Sequence, residues 1–218
     1  MILKTKLLGH VYDFHTVREV MAKANEEKSG DRLAGIAAES AEERVAAKVV
    51  LSELTLADLR NSPAVPYEED EVTRVNIDGL NRPMYERFKG MTIGELREWI
   101  LDHKTSREEL CRASRAFTGE VVAAVAKIMS AMDLVYGASK IVRPTKCITE
   151  IGLPGTLSFR CQTNSPTDDV PSILMGVMEG VSYGSGDACI GINPVGDNVE
   201  NTMRMAQGMW DFVVKNDI

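Results

Sequence analysis

The chain has 218 residues, 44% of them hydrophobic and 26% charged, a globular composition that excludes a disordered or low-complexity protein. Twenty-five basic residues against 32 acidic ones leave a formal net charge of −7, which argues against a nucleic-acid surface, because neutralising phosphates needs a basic patch. No run of about 18 apolar residues occurs, so no membrane-spanning helix is expected, and the start MILKTKLLGHVYDF reaches Asp13 too early for a secretory signal, which makes the cytoplasm the expected location.

Leu3 to Phe14 reads as a strand or an edge hairpin. Thr16 leads into a helix with Val17, Val20, Met21 and Ala24 on one side, ended by Ser29-Gly30. Ser40 and Glu43 have the spacing of a capping box, opening a helix whose inner side is marked by Val45, Val49 and Leu51. Then one small motif occurs twice, TLADLR from Thr55 and TIGELR from Thr92. In each, threonine caps, Asp58 or Glu95 reaches back, and Leu59 or Leu96 packs inward. Two short copies make two similar helix starts rather than a repeat array. Between them lies a stretch rich in proline and acids, with Glu68 to Glu71 as a solvated run and a short strand in DEVTRVNID. Helix resumes from Arg82 to His103, a further capping box stands at Ser106 and Glu109, and a long apolar helix runs from Phe117 to near Gly137.

The helical period breaks at Lys140 to Lys146, which divides the chain into a mainly helical region, 1–146, and a second region, 147–218. LSFRCQ alternates as a strand, with Ser158, Arg160 and Gln162 on one face and Leu157, Phe159 and Cys161 on the other. Asp169 to Val181 has a helical period, and Met175 and Met178 here, with Met203, Met205 and Met209 further on, read as packing residues. DACIGIN is a nearly all-apolar strand closed by Pro194, with Gly184 and Gly186 turning the chain into it. A last capping box from Asp197 starts a helix to Lys215 with Val199, Met203, Ala206, Trp210 and Val213 on one face.

Ligands of parallel sheets sit at the carboxyl ends of the strands. This puts Arg160, Gln162 and Asn193 on one rim, a set with no nucleophile and no base that would hold and polarise a small polar substrate. The structural reading stands beside it: Arg160 pairs with a carboxylate and the amides tie loops. Asp168 and Asp169 sit at a helix start, where acids favour the dipole, and Asp187 precedes its strand at the end opposite Asn193; all three read as structural. Cys111, Cys147, Cys161 and Cys189 contain no CxxC pair and read as free buried thiols. His10, His15 and His103 lack the further ligands of a zinc site, and no metal is assigned. A strand-helix-strand-helix run leaves open edges and an uncovered apolar face, so the chain is expected to be a fragment or half of something completed by another chain.

These residues and their surroundings carry a resemblance. ERVAAK at 43–48, LSELTLADLR at 51–60, EVVAAVAKI at 120–128, IGLPGT at 151–156 and GDACIGINPVGDNVEN at 186–201 resemble the amino-terminal half of the ethanolamine ammonia-lyase large-subunit family. The resemblance implies an α/β fold in which a mainly helical amino-terminal region precedes the first two β/α units of a truncated (β/α)8 TIM-type barrel. It implies adenosylcobalamin-dependent radical conversion of ethanolamine to acetaldehyde and ammonia. Hydrogen would be abstracted from the hydroxyl-bearing carbon, the amine would leave and the hydrogen would return. It implies that Arg160, Gln162 and Asn193 touch substrate and that Pro194 touches the cobalamin. The implied partners are a small subunit and further large-subunit copies, in the cytoplasm or a bacterial microcompartment. The carboxylates that meet the substrate amine come later in that family, so no catalytic residue is assignable here and the chain alone is expected to be inactive. Two rival readings come from other classes. One is an assembly module for oligomerisation and small-subunit contact. The other is a nucleotide-binding domain, suggested by Gly184, Gly186 and Gly191 around the second strand and opposed by their order, since Gly184 and Gly186 precede the strand instead of following it.

Overall fold

The computed structural model describes residues 2–141, 144–146, 150–186 and 189–218. Cys147 and Asp187, both singled out above, lie outside the described residues, as do Val142 and Arg143 in the expected boundary stretch. The chain forms two compact units, Met1–Ile141 and Val142–Ile218. The fold is mixed α/β and mostly helical, and no closed barrel is present among the described residues. No described helix is long and apolar enough to cross a membrane.

The first unit opens with an antiparallel hairpin, β1 (Lys4–Leu7) and β2 (His10–Asp13), whose turn at Leu8-Gly9 is left-handed. Helix α1 (Val17–Lys23) is capped by Thr16 as expected, but it stops at Lys23. Ser29-Gly30 begins a separate short helix, α2 (Ser29–Leu33), instead of ending the first. In α3 (Ala41–Glu53) Ser40 caps, yet the Glu43 carboxylate accepts from the N–H of Glu39, so the reciprocal bond of a capping box is not made. Its inner face is Ala46, Ala47, Val50 and Leu51, while Val45 and Val49 are exposed. The alanines let neighbouring helices approach, which rotates the buried stripe away from the larger valines.

Helices α4 (Leu56–Arg60), α5 (Glu71–Asp78), α6 (Arg82–Phe88) and α7 (Ile93–Leu101) follow. The expected strand in DEVTRVNID is α5: Asp70 accepts from the N–H and hydroxyl of Thr73, and this cap turns the segment helical. Both copies of the twin motif make their capping boxes, and Leu59 and Leu96 are buried. The two starts also lie side by side. Thr55 and Thr92 form an antiparallel bridge, with Ile93 N donating to Leu54 O at 2.8 Å and Leu56 N to Met91 O at 3.0 Å. A similar local code at two distant places thus pairs two helix entrances.

Helix α8 (Arg107–Ala113) has the expected box at Ser106 and leads through a 3-10 turn, Ser114–Ala116, to α9 (Gly119–Ile128) and α10 (Ala131–Lys140). The long helix expected from Phe117 is therefore two, divided where Ser130 and Asp133 make a further capping box. The core gathers Phe14, Val17, Val20, Leu51, Leu56, Leu59, Ile93, Leu96, Val121 and Val125 from the hairpin edge and helices α1, α3, α4, α7 and α9.

Arg97 on α7 donates from Nη2 to Asp133 Oδ2 of α10 at 2.6 Å. This bond, then the N–H of Ser130, holds the Asp133 carboxyl below its ordinary value of 3.8. A carboxyl depressed in the folded state stabilises above its unfolded pKa, and that contribution is lost as pH falls through the folded value. Amide exchange in α10 should therefore accelerate below pH 3.8, and Asp133→Asn should abolish that acid-dependent step. Identical pH profiles for the two proteins would refute it.

The second unit begins with a two-residue antiparallel pair, β3 (Thr145–Lys146) and β4 (Glu150–Ile151). Then come β5 (Arg160–Thr163), α11 (Val170–Ser182), β6 (Cys189–Ile192) and α12 (Val199–Asn216). β5 is shorter than the alternating stretch: its ladder starts opposite Cys189, and Leu157 and Phe159 precede it and are exposed. Asn198, not Asp197, caps α12. Of the methionines read as packing residues on this helix, Met205 is buried and Met203 is exposed, and Val199 and Trp210, on the same apolar face as Met203, are exposed as well. Met175 and Met178 are exposed on α11 as well. Gly184 and Gly186, at φ +79° and +103°, make the tight approach to β6.

Candidate functional site

β5 and β6 run parallel, with Arg160 opposite Cys189, Cys161 opposite Ile190, Gln162 opposite Gly191 and Thr163 opposite Ile192. Alternation puts Arg160, Gln162, Cys189 and Gly191 on one face and Cys161, Thr163, Ile190 and Ile192 on the other. Helix α11 covers the second face. A Cβ at Gly180 would stand 2.5 Å from Cys161 Sγ, and one at Gly176 would stand 3.0 Å from Thr163 Cγ2. Only glycine permits so close an approach; an added methyl would push helix and strand apart. The first face is open, and Arg160, Gln162 and Cys189 are all exposed. Cys189 therefore departs from the expected set of buried thiols, whereas Cys161 is buried and Cys111 half-buried.

Arg160 opens β5 and does not stand at its carboxyl end. Its long side chain makes up the difference. The guanidinium lies against Gly191, where a Cβ would be 2.6 Å from Nη2 and 2.9 Å from Nε. Because Gly191 is the partner of Gln162, the charge comes level with the Gln162 amide. Asn193 is the first residue beyond β6 and is exposed, with half-buried Pro194 beside it. Arg160 and Gln162 thus share one open face, and Asn193 and Pro194 follow the adjacent strand. Ser158, expected on the same face, precedes the strand and is half-buried. Among the described residues, no carboxylate lies within ion-pair distance of Arg160. Sequence offered Gly191 only to the nucleotide-binding reading; its place under the Arg160 guanidinium depends on the register between two distant segments.

The turn after Pro194 is held from the neighbouring loop. Asp168 lies between β5 and α11, is 5% exposed, and has a left-handed φ of +53°. Its Oδ1 accepts from Val195 N at 2.9 Å; its Oδ2 accepts from Gly196 N at 2.8 Å, Val195 N at 3.1 Å and Asn201 Nδ2 at 2.6 Å. The N–H groups of Gly196 and Val195, then the Asn201 amide and the Arg204 charge, hold the carboxyl below its usual range despite its burial. Asp169, not Asp168, caps α11, accepting from Ser172 N at 2.9 Å. The two acids read together as helix-start residues are thus different in kind. The signal available in sequence was the surplus: one helix start needs one cap, and TDD offers two acids.

The second unit is accordingly of the α/β class, a parallel strand pair with a helix on one face and polar side chains on the other. Residues 12–218 match the family described as ethanolamine ammonia lyase large subunit (EutB). Over 218 residues, 100% of the chain, it is 52% identical to the ethanolamine ammonia-lyase large subunit of Salmonella typhimurium (strain LT2), covering 48% of that protein. With the same coverage it is 51% identical to the large subunits of Escherichia coli K12 and Escherichia coli O157:H7. The chain belongs to the ethanolamine ammonia-lyase large-subunit family, and it spans about half the length of the curated relatives it matches.

Proposed function

We propose that this chain supplies a helical region, 1–146, and the first two β/α units of a (β/α)8 TIM-type barrel, 147–218, to the large subunit of a lyase that converts ethanolamine to acetaldehyde and ammonia. The observation that carries this reading is the 52% identity across the whole chain to a protein bearing that name. The open polar face supports it, because a barrel strand turns one face to the lumen and the other to the helix layer.

Ethanolamine offers a hydroxyl and, at neutral pH, an ammonium group. On the open face the Arg160 guanidinium and the Asn193 amide donate to the hydroxyl oxygen, and the Gln162 amide holds the remaining polar atoms of substrate or intermediate. Together they fix the carbon that reacts, and small errors of placement are costly. An ammonium taken out of water needs a carboxylate, and beside Arg160 alone it would be repelled. The carboxylates must therefore come from elsewhere in the assembled enzyme. Adenosylcobalamin, when bound, supplies the radical chemistry that side chains lack. The residues here that fit a contact with so large a ring are Pro194 and the adjoining Val195, which is 67% exposed and forms an apolar step beside Asn193. A small subunit and further large-subunit copies complete the enzyme, in the cytoplasm and within a bacterial microcompartment. Exposed Met132 and Val135 on α10 favour a second role for the helical unit as an assembly surface.

Ammonia release tests this reading. The enzyme containing this chain, with its small subunit and adenosylcobalamin, should deaminate ethanolamine, and the 218-residue chain with the same additions should not. A silent complete enzyme would sink the assigned activity. Turnover by the chain alone would sink the claim that its site needs outside carboxylates.

A further inference from the structure

The hydrogen bonds around Asp168 converge on one place, the turn that follows Asn193 and Pro194. Both carboxylate oxygens are engaged, by two successive backbone N–H groups and one side-chain amide. Asn201 Nδ2 also donates to Gly196 O at 2.8 Å, and Arg204 Nη2 bridges Asp168 O at 2.9 Å and Asn201 Oδ1 at 2.8 Å. Loop, turn and the first turns of α12 are thus closed into one ring of bonds. A non-glycine residue at φ +53° costs free energy and persists only where its surroundings over-determine it. That conformation aims the carboxylate across the strand ends and leaves the capping of α11 to Asp169.

We infer that Asp168 is a positioning residue for the site: it straps the β6–α12 turn to the β5–α11 loop and so holds Asn193 and Pro194 in place relative to Gln162. This rests on the reading of Asn193 as a substrate contact and Pro194 as a cofactor contact. The strap acts through two backbone N–H groups, so it sets where the turn lies without touching substrate. Its chemistry is particular to a carboxylate. Asparagine tolerates the same left-handed backbone, but one of its two atoms is an NH₂ group, which would face donors instead of accepting from them. Asp168→Asn therefore leaves one oxygen to hold the strap, sets an NH₂ against a donor at the other position, and spares the backbone conformation.

The test uses the complete enzyme, comparing wild type, Asp168→Asn and the milder Asn201→Ser, which removes the amide that bonds Asp168 Oδ2, Gly196 O and Arg204 Nη2 and leaves the backbone bonds to Asp168 in place. Three quantities are read: amide exchange at Val195 and Gly196, thermal midpoint, and kcat and KM for ethanolamine. Asp168→Asn should speed exchange at both amides about tenfold and lower kcat/KM about a hundredfold, the scale of a small misplacement of reacting groups. Asn201→Ser should move the same quantities less, in the same direction, and the thermal midpoint should hardly change in either. Exchange unchanged in both variants would overturn the strap. Faster exchange with unaltered kcat and KM would overturn the positioning role alone. An inactive wild type would overturn the lyase reading and the positioning role with it. If Asp168→Asn does not fold, Asn201→Ser decides by the same criteria.

Discussion

Replacing Arg160 by alanine in the complete enzyme should lower kcat/KM for ethanolamine by about a hundredfold to a thousandfold, the scale of losing a charged hydrogen-bonding partner in a desolvated site. The thermal midpoint should barely move. Arg160 is exposed and, among the described residues, has no carboxylate within ion-pair distance whose charge its removal would strand. Lysine should restore little: it keeps a point charge and loses the flat fork that lies along Gly191. A structural Arg160 would give the opposite pattern, a large drop in stability and a parallel loss of folded protein at unchanged specific activity. Kinetics and thermal unfolding on the same preparations separate the two.

The largest stability effect should come from the other unit. Leu51 is fully buried in α3, in a core with Leu56, Ile93 and Leu96. Leu51→Ala deletes buried methyl groups and leaves a cavity, which costs about 2–5 kcal/mol. That is a large share of the roughly 5–15 kcal/mol by which native domains are stable. Leu33→Ala is the matched control: the same change at a residue 91% exposed on α2 should stay within about 0.5 kcal/mol. Urea unfolding of both variants measures the difference. Equal midpoints would mean that the α3 core does not limit the stability of this unit.

What sequence disclosed and what it hid follow one physical division. Capping boxes at Thr55, Thr92 and Ser106 were legible because each is completed within four consecutive residues. The box at Ser130 obeys the same rule, yet the apolar period runs straight across it and hid the break between α9 and α10. Aligned valines at Val45 and Val49 pointed to the wrong face of α3, because the alanines beside them set how closely other helices approach. The stripe of α12 was legible as one apolar face, but its exposure was not, since periodicity reports a face and not what covers it. At the candidate site, the order strand, crossover helix, strand was visible, and so was the cluster of arginine and amides. The levelling of Arg160 with Gln162 was not, nor was the service of Asp168 to a turn made by Val195 and Gly196. Both depend on a register between segments far apart in the chain.

That same register bears on how the second unit comes into being. β5 and β6 pair across roughly thirty residues, and contacts of such separation form late, after the chain between them has been closed into a loop. Helix α11 can wind as soon as it is synthesised, but β5 must wait with its ladder groups unpaired until β6 emerges. The bonds from Val195 and Gly196 to Asp168 need the turn beyond β6, so they cannot form before that strand has emerged. A cell making this protein therefore passes through a stage in which the strand bearing Arg160 and Gln162 is exposed and can still be mispaired.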